Sequence, residues 1–188
     1  MTAVTRPRKP PRRITAQYLD RAALAYLQRF ASSAENLRRV LLRRVERSAR
    51  AHGDDPATGA GLVRELIERY LRSGLLNDEA YAAAKTHSLR RRGDSGRAIK
   101  AKLAAKGIGR DLTATAIEAA DQDSPNAELK AALALAKRRG LGAWRSKDRA
   151  LFRDKDLAAF ARAGFSYDLA RKVVDADDPA NLLAEAHG

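Results

Sequence analysis

The sequence has no cysteine, and few of its 188 side chains are aromatic. Without cysteine the chain can form neither disulfides nor thiolate metal sites. Aromatic residues make up only 5% of the sequence, whereas Ala, Leu and Arg are abundant. No alternating run rich in β-branched residues is long enough to form a strand. These absences favour an all-α fold.

Long apolar runs are missing as well. No stretch approaches the roughly 20 apolar residues that span a bilayer, and the first residues lack the apolar core of a signal peptide. We therefore expect a soluble, cytoplasmic protein that does not bind membranes. The three histidines, His52, His87 and His187, are far apart in the sequence. No pattern indicates a catalytic nucleophile with its general base, and none indicates a phosphate-binding loop. We accordingly expect no metal, no cofactor and no catalytic residue, and hence no enzyme.

Positive charge is abundant. The formal net charge is +14, which indicates a polyanion or an acidic protein surface as partner, without choosing between them. Residues 1–13 carry five basic residues, three prolines and no acid, which predicts a disordered tail. Residues 175–188 contain four acids and neither Lys nor Arg. We expect the basic surface to lie between these ends.

The densest basic segment runs from Arg90 to Arg110 and contains eight basic residues but only one acid, Asp94. Two helices are predicted to meet there at a short turn that contains glycine. Such a pair could form a helix-turn-helix whose second helix enters a DNA groove, although most helical hairpins contact no DNA. A second arginine-rich helix is predicted over 32–52. Its basic face is either simply solvated or a binding surface.

Helix-boundary signals divide the chain. Thr15 can cap a helix over 16–30, and Ser32 and Glu35 fit a capping box at the start of the next helix. The segment from Gly53 to Gly61 is predicted to be a loop. Ser124 and Pro125 fit the start of a later helix. Leu75, Leu76, Tyr81, Leu103 and Ile108 are assigned to the core.

One sequence pattern, referred to below as the repeated pattern, occurs twice with an offset of 57 residues. A glycine that closes a helix can adopt the left-handed conformation, the apolar residue after it folds back on the last turn, and an aspartate then starts the next helix. The repeated pattern is either evidence of an internal repeat or the ordinary helix-end signal that any helical protein can contain. The two copies are Leu103-x3-Gly107-Ile108-x2-Asp111-Leu112-x4-Ile117 and Phe160-x3-Gly164-Phe165-x2-Asp168-Leu169-x4-Val174.

Together these signals predict three tandem helical repeats, stacked into an elongated, curved body because each repeat is too small to be stable alone. The predicted division is 1–13 as the basic tail, 14–56, 57–122 and 123–178 as the three repeats, and 179–188 as a short C-terminal tail.

The chain resembles the RecX family of bacterial regulatory proteins, which bind and modulate the RecA recombinase. The most specific part lies in the second unit, and the resemblance covers roughly residues 16–176. It rests on Ala25-Tyr26-Leu27-x-Arg29-x2-Ser32-x2-Glu35-x-Leu37, on Gly74-Leu75-Leu76-Asn77-Asp78-Glu79-x-Tyr81-Ala82, on Arg92-Gly93, Ile99, Leu103 and Lys106-Gly107-Ile108, and on Gly164-Phe165-Ser166-Tyr167-x-Leu169. Ala163 departs from the family pattern, in which an arginine commonly stands there.

The resemblance implies a fold of three three-helix repeats that lies in the groove of the RecA filament on single-stranded DNA. It implies inhibition of strand exchange, ATP hydrolysis and coprotease activity, and so a negative regulator in homologous recombination, DNA repair and the SOS response. The implied partners are the RecA filament and single-stranded DNA, bound directly or through the filament, with duplex DNA as a further candidate. A monomer is the default.

Charge density and the family's mode of binding together select nine residues for the surface that contacts filament or DNA. Two other functions stay open: a basic DNA-binding protein that acts without RecA, and an adaptor for an acidic protein unrelated to recombination. The nine residues are Arg38, Arg39, Arg43, Arg90, Arg91, Arg92, Arg97, Lys100 and Lys102.

Overall fold

A computed structural model describes residues 11–187 of the chain, and within that range it contains ten α-helices, one short 3-10 turn and no strand. The prediction of an all-α fold is confirmed. The helices are α1 (Ala16–Leu27), α2 (Ala34–His52), α3 (Pro56–Arg72), α4 (Asp78–Arg91), α5 (Gly96–Ala105), α6 (Arg110–Gln122), α7 (Ala127–Arg139), α8 (Arg149–Arg162), α9 (Tyr167–Val174) and α10 (Pro179–His187), with the 3-10 turn at Gly142–Trp144.

The chain divides into two compact units, one that ends at Asp78 and one that begins at Glu79. In the first unit, α1, α2 and α3 enclose one core, with Leu19, Leu37, Leu41 and Val63 fully buried. Helix α3 thus packs with α1 and α2, whereas the sequence grouped 57–122 in one repeat. The division into three repeats stays a prediction. The predicted tail, 1–13, lies mostly outside the described residues.

The predicted loop from Gly53 to Gly61 is much shorter than expected. Helix α3 already begins at Pro56, because Asp55 accepts a hydrogen bond from Ala57 N at 2.9 Å and proline suits the first helical position. Gly59 then lies inside the helix, where an added Cβ would come within 2.5 Å of Val45 Cγ1. This glycine lets α2 and α3 approach each other closely.

Two predicted helix starts are also shifted. Thr15 caps α1 as expected and accepts from Tyr18 N. In contrast, Ser33 rather than Ser32 caps α2, and Glu35 binds arginines instead of completing a capping box. Helix α7 begins at Ala127 and not at Pro125, after Asn126 in the left-handed conformation. Serines adjacent in sequence offer the same cap signal, so tertiary contacts decide between them.

The second unit holds two apolar clusters. Helices α4, α5 and α6 enclose Leu89, Ile99 and Leu103, while α7 to α10 enclose a larger cluster around Phe160 and Val173. Helix α10 contributes Leu182 and Ala186 to this second cluster, so the segment predicted as a short tail is a packed helix.

Both copies of the repeated pattern end a helix in the same way, with a left-handed glycine. Gly107 and Gly164 have φ of 78° and 88°, and the following residues fold back, with Ile108 N donating to Leu103 O and Phe165 N to Phe160 O. At the end of α3, however, the returning hydrogen bond comes from Leu76 N to Tyr70 O, one residue later. Leu75 is therefore 49% exposed, and its assignment to the core was wrong.

Gly93, at the turn between α4 and α5, packs directly on the backbone of α7. Its φ is +81°, and an added Cβ would come within 2.7 Å of Leu135 N and 2.8 Å of Ala131 O. A side chain at this position would be strained and would also push the turn away from α7.

We expect Gly93→Ala to lower the free energy of unfolding by roughly 3 kcal/mol, since it adds a backbone clash to the cost of a left-handed conformation. Gly140 is the matched control: its φ is +61°, but its nearest neighbour would be 3.8 Å away. Gly140→Ala should cost only about 1 to 2 kcal/mol. Urea unfolding followed by circular dichroism measures both, and equal losses would mean that the contact between Gly93 and α7 contributes nothing.

Candidate nucleic-acid interface

The three predicted residues in the first unit lie on α2. Glu35 accepts from Arg38 Nε at 2.6 Å and from Arg39 Nε at 2.7 Å. The hydrogen bond from Arg38, with Arg39 adding to it, holds the pKa of Glu35 below its usual value despite partial burial. Arg43 is exposed and forms no ion pair with a described residue. This face of α2 therefore keeps a net positive charge, although exposed ion pairs of this kind add little stability.

Arg90 is placed differently from the other predicted residues, because its side chain is only 10% exposed. It donates to both carboxylate oxygens of Asp121, at 3.0 and 2.7 Å, and also to Glu128 and to the carbonyl of Asp94. Burial disfavours the charged form of Arg90, but the two carboxylates outweigh it and raise its pKa. We therefore take Arg90 as a structural residue and remove it from the interface.

The neighbours of Arg90 remain available to a ligand. Arg91, Arg92, Arg97 and Lys100 are exposed, and none forms an ion pair with a described residue. Lys102 binds Asp94 at 2.6 Å, so it neutralises the single acid of this segment. The structure thus brings four uncompensated cations together around the turn between α4 and α5.

A basic segment that the sequence interpretation missed joins this group. The last turn of α7 carries Lys137, Arg138 and Arg139, all exposed. Arg138 donates to the carbonyl of Arg92, which places the end of α7 at the turn between α4 and α5. The run of cations was visible in the sequence, but its position beside Arg92 depends on the close packing of Gly93 against α7. We call Arg91, Arg92, Arg97, Lys100 and Arg138 the basic turn.

The α5 end of the basic turn is held by the α8–α9 connection. Ser95 Oγ accepts from Ala98 N at 3.1 Å and donates to Ala163 O at 2.6 Å. Gly164 packs so closely that an added Cβ would lie 3.2 Å from Arg97 Cβ. The backbone under these cations is therefore fixed, and their guanidinium groups suit the phosphates of nucleic acid.

The described residues offer little else that could carry chemistry. Residues 11–187 contain no group of three or more histidines and carboxylates placed to hold a metal ion. Asp78, a potential acid at the start of α4, instead accepts a hydrogen bond from Ala34 N at 2.8 Å. No helix within this range is long and apolar enough to cross a membrane.

These features define a class: an all-helical repeat protein with exposed cations held at its helix turns. A family model described as "RecX, second three-helix domain" matches residues 77–117, which span α4, α5 and most of α6. The chain is 44% identical over 171 residues to "Regulatory protein RecX" of Myxococcus xanthus, with 90% of each chain covered. It is 28% identical to the protein of the same name from Agrobacterium fabrum, with 88% of this chain and 87% of the relative covered.

The fold agrees with a solved structure. The crystal structure of RecX from Lactobacillus salivarius matches with a TM-score of 0.58 at 19% identity, over 85% of this chain and 94% of that one. The chain belongs to the RecX family, because it is 44% identical to the Myxococcus xanthus relative over 90% of both chains.

We expect Arg90→Ala to destabilise the second unit by about 2 kcal/mol, because it removes a largely buried side chain that is hydrogen-bonded to three other segments. Water offsets part of the loss, since the side chains of Asp121 and Glu128 are 37% and 42% exposed. Arg91→Ala, one residue further on, should change the free energy of unfolding by less than about 0.5 kcal/mol, since its side chain is exposed and forms no ion pair with a described residue. Urea unfolding compares the two variants. If both are equally stable, the Arg90 network is not a structural element.

Proposed function

We propose that this protein binds the RecA filament on single-stranded DNA in the cytoplasm and inhibits its recombinase, ATPase and coprotease activities. The observation that carries the proposal is the match, over 90% of both chains, to a relative named "Regulatory protein RecX". The basic turn supports it, because a filament whose groove holds DNA presents phosphates to such a surface. No enzymatic step is part of the proposal.

We now assign the contact surface to Arg91, Arg92, Arg97, Lys100 and Arg138, with Arg38, Arg39 and Arg43 in the first unit. Lys102 contributes less because Asp94 compensates its charge. Arg138 replaces Arg90, whose donors are already occupied.

We expect substoichiometric amounts of the protein to inhibit ATP hydrolysis by preformed filaments of RecA from the same source. Arg91→Glu with Arg92→Glu should raise the concentration needed for half-inhibition at least about tenfold, because two attractions become repulsions. The control is Lys147→Glu with Arg171→Glu, which makes the same charge change at two exposed residues of the same unit outside the basic turn. The control should inhibit like the wild type.

A DNA-binding protein that acts without RecA is the competing function, and the net charge of +14 favours it. Its affinity for duplex DNA would fall with salt, with a logarithmic slope near −0.9 per phosphate contact, and RecA would not change that affinity. No inhibition at stoichiometric excess, with DNA binding intact, would replace the proposed function by this one.

A further inference from the structure

A groove of about 580 Å³ lies in the first unit, between the residues that precede α1, helix α1 itself and helix α2. It was not part of the sequence-based interface. Five of its eleven lining residues are arginines and none is acidic: Arg12, Arg13, Arg21, Arg29 and Arg44.

The positive charge of this groove is almost uncompensated within the described chain. Only Arg13 has an acidic neighbour, Asp54, at 3.6 Å, while Arg44 donates to the neutral Tyr18 hydroxyl at 3.2 Å. The acid of α1, Asp20, is held by Arg69 and Tyr70 of α3. Cations gathered without partners repel one another, so the groove favours an anionic ligand.

An exposed aromatic ring stands beside these cations. Phe30 is 53% exposed, and its ring lies 5.1 Å from that of Tyr26, with the planes tilted by 43°. Tyr26 is itself positioned by Asn36, whose Nδ2 donates to the Tyr26 hydroxyl at 3.0 Å. The guanidinium of Arg29 lies 6.0 Å from the centre of the Phe30 ring. The site therefore offers a supported aromatic face with a cation next to it.

We propose that this groove binds a short stretch of single-stranded DNA, with phosphates on its arginines and a base stacked on Phe30. Alternation of cations and aromatic rings is how proteins bind single strands without sequence preference. A duplex keeps its bases stacked inside and cannot offer one to Phe30. The volume lies in the range of small-ligand sites, which suits a nucleotide or two.

The charge of residues 1–10 does not complement that of the groove. The residues that precede the groove in sequence include Arg6, Arg8 and Lys9 and no acid, so their charge has the same sign as the groove. This inference deepens the proposed function, on which it rests for the presence of single-stranded DNA at the binding partner.

The test compares two oligonucleotides of equal length and charge, one with bases and one abasic throughout, by fluorescence anisotropy with the full chain. The wild type should bind the strand with bases roughly tenfold more tightly, as one stacked base would give. Phe30→Ala should remove most of this preference and keep the affinity for the abasic strand. Phe30→Trp, which retains an aromatic face, should preserve the preference. Arg21→Glu with Arg29→Glu should weaken binding of both strands.

The matched control is Arg64→Glu with Arg72→Glu, which reverses two exposed charges on α3 outside the groove and should keep the preference for bases. Thermal unfolding by circular dichroism verifies that each variant is folded; should Phe30→Ala unfold, Phe30→Trp and the arginine variants decide. Equal binding of both strands by the wild type would overturn the proposal. So would full competition by a poly-glutamate peptide of the same charge, which would assign the groove to an acidic protein.

Assays with RecA separate this proposal from the proposed function. If the wild type inhibits ATP hydrolysis by the filament but shows no preference for bases, the groove proposal alone fails. If it prefers bases but leaves the RecA ATPase unchanged, the proposed function alone fails and the groove stands as a DNA site.

Discussion

The second unit depends on a single guanidinium group, that of Arg90. It binds Asp121 near the end of α6 and Glu128 in the first turn of α7, and Glu128 in turn accepts from Gly96 N at the start of α5. One cation and two carboxylates thus hold the ends of four helices together. A buried charge is tolerated only when it is paired and hydrogen-bonded, and Arg90 satisfies both conditions because five donors meet two acids and a carbonyl. Together with the packing of Gly93 against α7, this network fixes the position of the basic turn.

Consecutive arginines therefore have opposite roles. In an α-helix each residue is turned by about 100° from the one before it, so Arg90 can point into the unit while Arg91 points to solvent. Arg92 lies just beyond the last helical residue, and its carbonyl receives Arg138 from α7. The exposed cations are thus attached to a backbone that is fixed from within, so a ligand that bound them would have to order their side chains but not the backbone.

Local signals in the sequence predicted local structure well. The all-α fold, the cap at Thr15 and the two glycine helix endings at Gly107 and Gly164 were predicted correctly, because each depends on residues within one or two turns. Which of three adjacent arginines is buried could not be predicted, since the partners of Arg90 lie 31 and 38 residues away. The exposure of Leu75 likewise depends on which amide folds back at the end of α3.

The same limit explains a second buried ion pair. Asp156 is fully buried, yet it accepts from Arg145 and from Gly142 N at the turn after α7, which lie 11 and 14 residues away in sequence. Burial raises the pKa of this carboxyl, but the hydrogen bonds from Arg145 and Gly142 outweigh it and hold the pKa below its usual value. The carboxylate therefore stays ionised at neutral pH. It fixes the turn that follows the basic end of α7.

Each unit carries its own unpaired cations, at the groove of α1 and at the basic turn. Either site alone would bind a phosphate chain weakly and with strong dependence on salt. For a polymer that reached both proposed sites, binding at the first would convert binding at the second into an intramolecular step. A short oligonucleotide gains nothing from this effect if it cannot reach both sites. On these two proposals, a long polyanion that reached both sites would be favoured over a short one, without any contact that reads sequence.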